Sequence, residues 1–338
     1  VLMMHTAKIV NWKGMDCVEL SAGGYTAWIA NEIGSNVIRM HDDKNGVEFF
    51  RWNAENTPDT IKNSAEVWGL PSLYLPNRFA DGVLRASDHT YQLPVNEKAP
   101  FHNHIHGFLH KRAHTVVAYQ ADETAAWAKT AYTYDEKDPF FQYLPVSFRV
   151  EYTFRLSAEG LHYTAAFTNL SDRMLPMSQA THTTIASPFV DGAKEEDTRI
   201  AVPLEKKWIL NDRCLPTLEI ADPNAYDLQY KTGTMCPVLQ NISNDMYSAS
   251  EQTLNGKPFH GVILKDAATG KGIAYEVDEQ YKFWIIWNDQ GFHHYFCPEP
   301  MTAMIDAPNL DLPSEQTGYT EVKPGETYTI TQHFMTLV

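Results

Sequence analysis

Glu299 stands between two prolines in a largely apolar run, which makes it a candidate for proton-transfer chemistry. The run is Phe296-Cys297-Pro298-Glu299-Pro300-Met301-Thr302. Each proline fixes its own backbone angle and restricts the residue before it, so the carboxylate has little freedom to move. Apolar neighbours favour desolvation, which raises the pKa of a carboxyl group toward the range useful to a general base. A charged residue at the end of an edge strand is the alternative interpretation.

A second candidate is the histidine-rich run at residues 100–110. His102, His104 and His106 alternate within it, so on a strand all three would face the same way. Such a set is compatible with a metal site, because cupins hold a metal through His-x-His on a β-sandwich. Alternatively, one histidine meets a substrate and the others have structural partners. Gly107, directly after His106, allows the backbone to approach a ligand closely.

Three further polar positions lie elsewhere in the chain. Arg78, in Asn77-Arg78-Phe79, can donate paired hydrogen bonds to hydroxyls or to a carboxylate. A surface salt bridge is the simpler interpretation. His182 follows a strand-like stretch at 174–180, where a histidine can donate or accept a proton near neutral pH or serve structure alone. Asp245 lies in a stretch predicted to be irregular, where an acidic residue is normally solvated.

A period of two between apolar and polar residues predicts the strands that must position these side chains. One hairpin is predicted from 148–154 and 161–167, and a second from 261–265 and 273–277. A buried strand is predicted at 282–287 and the final strand at 327–334. Helical signal is confined to 58–68, with Thr57 as its N-cap, and to one turn at 138–143. With neither βαβ spacing nor an internal repeat, we expect an all-β protein. It would be one large antiparallel β-sandwich domain over residues 1–338.

Composition bounds the possible partners and the compartment. The 338 residues are 43% hydrophobic, and 27 basic against 42 acidic residues give a net charge of −15. This balance argues against nucleic acid and against an anionic membrane surface, but not against a small polar substrate. Four cysteines lie far apart without a C-x-x-C pair, which favours a reducing cytoplasm. We find no signal-peptide pattern and no membrane-length apolar stretch, and we expect a cytoplasmic monomer or homodimer.

Several common catalytic motifs are missing from the sequence. There is no G-x-G-x-x-G after a strand, no G-x-x-x-x-G-K-[ST], no G-x-S-x-G and no H-E-x-x-H. Nucleotide-binding, serine-hydrolase and zincin functions therefore have no motif support.

In their order along the chain, the candidate segments resemble the aldose 1-epimerase (galactose mutarotase) family. The matching segments are 32–37, Asn77-Arg78-Phe79, His104-Ile105-His106-Gly107, His182, Pro298-Glu299-Pro300-Met301-Thr302 and Asp306-Ala307-Pro308-Asn309. There are two departures. Phe108 stands where the family often has a second glycine, and Thr183-Thr184-Ile185 follows His182. The chain thus resembles a divergent, bacterial-type branch.

The resemblance implies a large β-sandwich with a cleft across one sheet, and mutarotation as the activity. Mutarotation interchanges the α and β anomers of a free aldose through ring opening, which needs a base at the anomeric hydroxyl and an acid at the ring oxygen. By position, Glu299 is the implied base and His182 the implied acid. Arg78 and His106 would hold ring hydroxyls and polarise the ring oxygen.

The resemblance leaves the substrate-binding aspartate less clear. Asp245 is the nearest match, and Asp227 is a weaker one. Aromatic residues near the candidate segments could offer flat faces to a sugar, although such residues are more often core: Phe79, Phe108, Trp284, Trp287 and Tyr295. No cofactor is implied, because ring opening needs neither redox chemistry nor an electron sink.

Three alternatives to a free-sugar epimerase stay open at this point. A hexose-phosphate 1-epimerase would need cations at the cleft rim, for which Lys111-Arg112 and Lys206-Lys207 are the nearest pairs. A carbohydrate-binding protein could keep the sandwich and lose turnover. A metal-dependent, cupin-like enzyme would use the alternating histidines, whereas the mutarotase resemblance implies no metal.

Overall fold

The computed structural model describes residues 4–338, in which strand is the dominant secondary structure, at 47% against 11% helix. The strands of the first half are β1 (Thr6–Trp12), β2 (Met15–Ala22), β3 (Tyr25–Ala30), β4 (Asn36–Asp42), β5 (Val47–Glu48), β6 (Ser72–Leu73), β7 (Arg78–Ala80), β8 (Val83–Arg85), β9 (Thr90–Gln92), β10 (Asn103–Ile105), β11 (Thr115–Ala121), β12 (Ala125–Tyr134), β13 (Phe148–Ser157) and β14 (Gly160–Asn169). Those of the second half are β15 (Leu175–Met177), β16 (Ala180–Thr181), β17 (Ile185–Ala186), β18 (Thr198–Ala201), β19 (Leu204–Leu210), β20 (Pro216–Ala221), β21 (Asp245–Ala249), β22 (Gln252–Leu254), β23 (Lys257–Phe259), β24 (Gly261–Asp266), β25 (Gly272–Val277), β26 (Phe283–Trp287), β27 (Tyr295–Met301), β28 (Thr320–Val322) and β29 (Thr327–Leu337).

Helices are short and few in the described part of the chain. The α-helices are α1 (Pro58–Lys62), α2 (Ala225–Thr232) and α3 (Ser314–Thr317). Single 3-10 turns occur at Ala65–Val67, Leu109–Lys111, Pro139–Gln142, Glu195–Asp197, Asp289–Gly291 and Ala307–Asn309. Between residues 4 and 338, no helix has the length and apolar character needed to cross a membrane.

Three large antiparallel sheets form the molecule. The N-terminal sheet has the order β1-β2-β3-β4-β5. The back sheet has the order β11-β12-β13-β14-β29-β25-β24-β18. The cleft sheet has the order β20-β19-β21-β26-β27-β16-β6, with β17 also paired to β27. The prediction of an all-β antiparallel fold is therefore confirmed.

The predicted hairpins are both present. Strands β13 and β14 pair in continuous register from Phe148 opposite Asn169 to Ser157 opposite Gly160. Strands β24 and β25 form the second hairpin, and the predicted buried and final strands correspond to β26 and β29. The period of two identified these elements because each strand buries one face.

The helical predictions were right in position but not in length. Thr57 caps α1 as predicted, but the helix ends at Lys62 and the chain continues into the separate turn Ala65–Val67. The predicted turn at 138–143 is the 3-10 turn Pro139–Gln142, capped by the Asp138 side chain. Helix α2 was not predicted, although Asn224 at its N-cap and a left-handed Gly233 at its end are ordinary helix boundaries.

The main apolar core lies between the back sheet and the cleft sheet and extends onto the N-terminal sheet. Fully buried Phe148 and Val150 come from the back sheet, Trp284 and Ile286 from the cleft sheet, and Leu20 from the N-terminal sheet. One apolar cluster therefore joins all three sheets, and the single domain over residues 1–338 stays a prediction.

The cleft sheet has a second, outer face. Met246, Ile285 and Met301 lie on that face in a smaller apolar cluster. Glu299 pairs with Ile285, which in turn pairs with Met246. Directly paired residues of antiparallel strands point to the same face, so Glu299 belongs to the outer face rather than to the main core.

Candidate active site

A cavity of about 260 Å³ opens at the outer face of the cleft sheet. It contains four of the five residues predicted to form the site, namely Arg78, His106, His182 and Glu299. Its remaining walls come from Glu66, Val67, Asn77, Ile105, Asn244 and Trp287. The volume lies below the roughly 300–1,000 Å³ of pockets for drug-sized ligands, which suits a ligand of about one sugar ring.

Strand pairing places His182 beside Glu299. His182 lies between β16 and β17, and both strands pair with β27, which carries Glu299. Nε2 of His182 lies 3.3 Å from Oε1 of Glu299, and both side chains are buried. This short separation is set by backbone pairing on both sides of the histidine, and it brings a candidate acid and a candidate base within reach of one ligand.

Burial drives both members of this pair toward their uncharged forms. Desolvation raises the pKa of Glu299 well above its usual range, and the nearby Arg78 opposes this only in part. Desolvation likewise lowers the pKa of His182 to about 4. Burial therefore favours a pair that shares one proton, with that proton on Glu299 rather than on His182. The form with charged Glu299 and charged His182 contains the same number of protons as the uncharged form. A coupled pair can therefore adopt either form.

Arg78 and His106 are brought together by the small two-stranded sheet of β7 and β10. Arg78 pairs with Ile105, and the backbone N–H of His106 donates to the carbonyl of Asn77 at 2.9 Å. Nε of Arg78 donates to both carboxylate oxygens of Glu97, at 3.0 and 3.1 Å. Arg78 is thus a buried, oriented guanidinium rather than part of a surface salt bridge.

Gly107 is required by the protein's own backbone. Its φ is +59°, and a Cβ at this position would lie 2.1 Å from the backbone nitrogen of Leu75. No side chain fits such a position. The close approach at Gly107 is therefore to the protein's own backbone at Leu75.

Each of the two cavity histidines has one ring nitrogen that no residue between 4 and 338 hydrogen-bonds. Their rings lie perpendicular, with centroids 5.2 Å apart. Nδ1 of His106 and Nδ1 of His182 are buried, and neither has a hydrogen-bond partner within residues 4–338. Burial and the neighbouring His182 lower the pKa of His106 well below its usual value. Buried polar atoms normally have partners, so free ones at a cavity indicate a ligand site.

The expectation that His102, His104 and His106 face the same way is wrong. Strand β10 covers only Asn103–Ile105, and both His102 and His106 have positive φ, which breaks the alternation. His102 is largely exposed, and Nδ1 of His104 contacts the carbonyl of Pro94 at 2.7 Å. Across the described residues, no group of three or more His, Cys, Asp or Glu side chains is placed to hold a metal ion.

The structure does not bring Asp245 to the cavity. The residue begins strand β21, rather than lying in an irregular stretch, and it pairs with the core residue Ile286. It therefore points to the face opposite Glu299, where its Oδ2 accepts a hydrogen bond from Tyr226 at 2.7 Å. The weaker match, Asp227, is fully buried in the capping box of α2. Alternation along β21 was the signal that could have excluded Asp245.

Glu66, Asn244 and Asn77 line the cavity and were not predicted to bind substrate. Glu66 lies in the turn Ala65–Val67, and Asn77 has a left-handed backbone with a buried Oδ1 that no described residue hydrogen-bonds. Among the aromatic candidates, Trp287 lines the cavity with its ring 5.7 Å from that of His182. Phe79, Phe108 and Trp284 belong to the main core.

The β-sandwich with this cleft is a galactose mutarotase-like fold. A galactose mutarotase-like protein from Clostridium acetobutylicum matches with a TM-score of 0.94 and 30% identity, over 99% of this chain and 98% of its own. A putative aldose 1-epimerase from Escherichia coli K12 matches with a TM-score of 0.72 and 17% identity, over 98% and 99%. A galactose 1-epimerase from Lactobacillus acidophilus NCFM matches with a TM-score of 0.71 and 15% identity, over 99% of each chain. The last two likenesses bear on fold alone.

The family model for aldose 1-epimerase matches residues 16–335. The chain therefore belongs to the aldose 1-epimerase family, as the order of its motifs predicted. Membership supports a sugar epimerase or mutarotase role for an isomerase-type enzyme.

Proposed function

We propose that the protein is an aldose 1-epimerase that interconverts the α and β anomers of a free, neutral aldose. The observation that carries this proposal is the buried pair of Glu299 and His182, 3.3 Å apart at the wall of a cavity sized for one sugar ring. Together the two groups hold one proton, which is what a reaction with one proton donor and one proton acceptor requires.

The proposed reaction moves one proton on and one proton off the sugar. One member of the pair removes the proton of the anomeric hydroxyl while the other protonates the ring oxygen, and the bond between C1 and the ring oxygen breaks. The open-chain aldehyde rotates about its C1–C2 bond. The reverse transfers close the ring on the other face of C1. Glu299 acting as base and His182 as acid corresponds to the charged tautomer, which hydroxyl contacts in the bound complex would stabilise.

Arg78 and His106 are proposed to orient the ring. Arg78 is held by Glu97 through Nε, so its terminal nitrogens keep a fixed direction at the cavity wall. The neutral ring of His106 can accept or donate a hydrogen bond to a hydroxyl. Held geometry of this kind places the reacting oxygens near the acid–base pair.

A phosphorylated hexose is the weaker alternative. Arg78, the cation in the cavity wall, already pairs with Glu97. Of the basic pairs noted in the sequence, Arg112 pairs with Asp138, while Lys206 and Lys207 each pair with an aspartate. Lys111 is exposed but does not line the cavity. Nothing in this arrangement resembles the cluster of free cations that a phosphate group needs.

A carbohydrate-binding protein without turnover is disfavoured by the same acid–base pair. Burial raises the pKa of Glu299 and lowers that of His182 to about 4, a shift that suits proton transfer and that hydrogen bonding to a sugar alone does not need. The four cysteines are free, in keeping with the prediction of a reducing cytoplasm. That location and the predicted monomer or homodimer stay predictions.

The test is anomer exchange by NMR on a panel of free sugars, with and without protein. Glucose, galactose, xylose, arabinose and maltose form the panel, and glucose 6-phosphate is included to test the alternative. The uncatalysed rate is measured in the same buffer, because sugars mutarotate slowly unaided. We expect acceleration of at least one neutral sugar and little on glucose 6-phosphate.

The outcomes separate the candidates. Acceleration that disappears in Glu299→Gln would support the epimerase. Faster exchange of glucose 6-phosphate than of every neutral sugar would favour the phosphate alternative. Folded protein that binds a sugar without accelerating its exchange would favour the binding protein and contradict the proposal.

A further inference from the structure

The cavity contains a second carboxylate, Glu66, which the acid–base chemistry does not use. Oε2 of Glu66 is buried and has no hydrogen-bond partner among residues 4–338. It lies 3.3 Å from Nε2 of His110, whose side chain is only 1% exposed and whose ring nitrogens likewise have no aligned partner in that range. Glu66 itself lines the cavity, and its side chain is 32% exposed, so a carboxylate positioned by buried His110 is accessible to a ligand in the cavity.

The segment that carries Glu66 is held firmly in place. Nη1 of Arg51 donates to the carbonyl of Val67 at 3.0 Å. The guanidinium of Arg51 lies over two aromatic rings, 3.7 Å from the centroid of Trp68 and 4.0 Å from that of Tyr295. The carboxylate next to Val67 therefore stands on a fixed wall rather than on a loose loop.

Glu66 is charged at neutral pH. Burial would raise its pKa, but contact with His110 outweighs burial and lowers the pKa to about 2. Glu66 is thus unlike Glu299, whose pKa burial raises well above its usual range. A carboxylate that stays ionised accepts hydrogen bonds and has little use as an acid.

We propose that Glu66, positioned by His110, is a specificity residue that accepts hydrogen bonds from hydroxyl groups of the sugar. This inference rests on the proposed function, because it concerns the same cavity. It fills the role for which Asp245 was predicted, since Asp245 lies on the other face of the sheet. The ligand class is a neutral sugar with a free hydroxyl opposite Glu66, because a fixed carboxylate would repel a phosphate or carboxylate at that place.

The experiment combines Glu66→Gln with monodeoxy analogues of the best sugar. Anomer exchange gives kcat/KM, and calorimetry gives the dissociation constant, for wild type and variant on the parent sugar and on each analogue. Glu55→Gln is the matched control. Glu55 is exposed and lies outside the cavity lining, so this substitution removes the same charge away from the site. Direct binding is measured so that the inference can be tested even without turnover.

We expect wild type to lose about ten- to hundredfold in affinity on one analogue, the usual scale of a hydrogen bond to a charged group. Glu66→Gln should lose a similar factor on the parent sugar and little more on that analogue, while Glu55→Gln matches wild type. Equal losses by wild type and Glu66→Gln on every analogue would overturn the inference, as would a variant with wild-type affinity for the parent.

Failure of the proposed function has a different signature. If wild type binds sugar with this dependence on Glu66 but accelerates no exchange, the epimerase proposal fails and the inference about Glu66 stands. If wild type accelerates exchange and Glu66→Gln changes nothing, only the inference fails. Wild type that neither binds nor turns over any sugar on the panel would contradict both.

Discussion

The segment at residues 180–184 has a cleft-facing side and a core-facing side, which differ in whether their buried polar groups are hydrogen-bonded. On the cleft side, His182 faces Glu299, and its buried Nδ1 has no partner among residues 4–338. On the core side, Thr181 and Thr183 are just as buried, yet their hydroxyls lie 3.1 and 2.8 Å from the hydroxyl of Tyr275. Adjacent residues of one segment are therefore equally buried, but only those on the core side have their polar groups fully hydrogen-bonded.

The core side is a connected network. The hydroxyl of Tyr275 donates to Oε1 of Gln332 at 2.7 Å, and Nε2 of Gln332 donates to Oγ1 of Thr181 at 3.0 Å. Gln332 also donates to Tyr281, whose hydroxyl donates to Gln179. Groups that satisfy one another in this way fix how the back sheet packs on the cleft sheet.

The comparison separates polar groups that stabilise the fold from polar groups that are available to a ligand. Polar groups of the same burial cost little when paired and much when left open. The molecule bears that cost on the cleft side, at His106, His182 and Asn77, and avoids it among these core-side residues. We therefore expect cleft substitutions to change rate and core substitutions to change stability.

The largest expected effect is that of Glu299→Gln. Removing the carboxyl group leaves no partner for two-way proton transfer with His182, so kcat should fall by at least about a hundredfold. The thermal midpoint should stay the same or rise, because a buried ionisable group becomes a neutral amide. NMR anomer exchange and thermal unfolding measure the two effects. A Glu299→Gln variant within severalfold of the wild-type rate would contradict the assignment of Glu299 to proton transfer on the cleft side.

The pH dependence sharpens the chemical half of the comparison. Below about pH 4, the pKa of His182, the pair gains a second proton and loses its acceptor, so kcat/KM should fall about tenfold per pH unit. At high pH, loss of the proton from Glu299 removes the donor, and that limb should lie well above pH 4.5. Circular dichroism at each pH separates this from unfolding. An acid limb in which kcat/KM already falls as pH is lowered from 7 to 6, rather than near pH 4, would contradict a His182 whose pKa burial has lowered.

Tyr275→Phe tests the core side. Removing this hydroxyl leaves Gln332 and Thr183 incompletely paired, so the free energy of unfolding should fall by about 1–3 kcal/mol. The rate per folded molecule should change less than twofold. Urea unfolding measures the first, and Tyr119→Phe is the matched control because Tyr119 is 43% exposed. Large loss of rate without loss of stability would mean that the core network also takes part in the chemistry.

The smallest effect is expected at Trp287. Its ring lies 5.7 Å from that of His182 and lines the cavity, where we expect it to pack against the sugar. Trp287→Leu should raise KM by about two- to tenfold, in line with the modest energy of aromatic contacts, and leave kcat near wild type. Steady-state anomer exchange on the best sugar separates the two constants. A loss confined to kcat would instead place Trp287 in the positioning of His182.

Much of the fold and part of the site followed from the sequence for identifiable reasons. Strands such as β13 and β14 bury one face and so leave a period of two in the sequence. The approach of His182 to Glu299 followed from the resemblance rather than from pattern, because pairing of distant strands leaves no local signal. Asp245 was misplaced because a polar residue at a strand end reads as a loop. Glu66 was missed because its turn carries no motif, and its partner His110 comes close only through tertiary packing.

The most direct test uses two neighbours, His182→Asn and Thr183→Val, in parallel measurements of anomer exchange and thermal unfolding. His182 faces the cleft and Thr183 the core, so position in the chain is matched. We predict that His182→Asn loses at least about a hundredfold in rate and keeps its thermal midpoint. Thr183→Val should lower the midpoint and keep the rate per folded molecule. His182→Asn at near wild-type rate, or Thr183→Val with the larger loss of rate, would contradict the account.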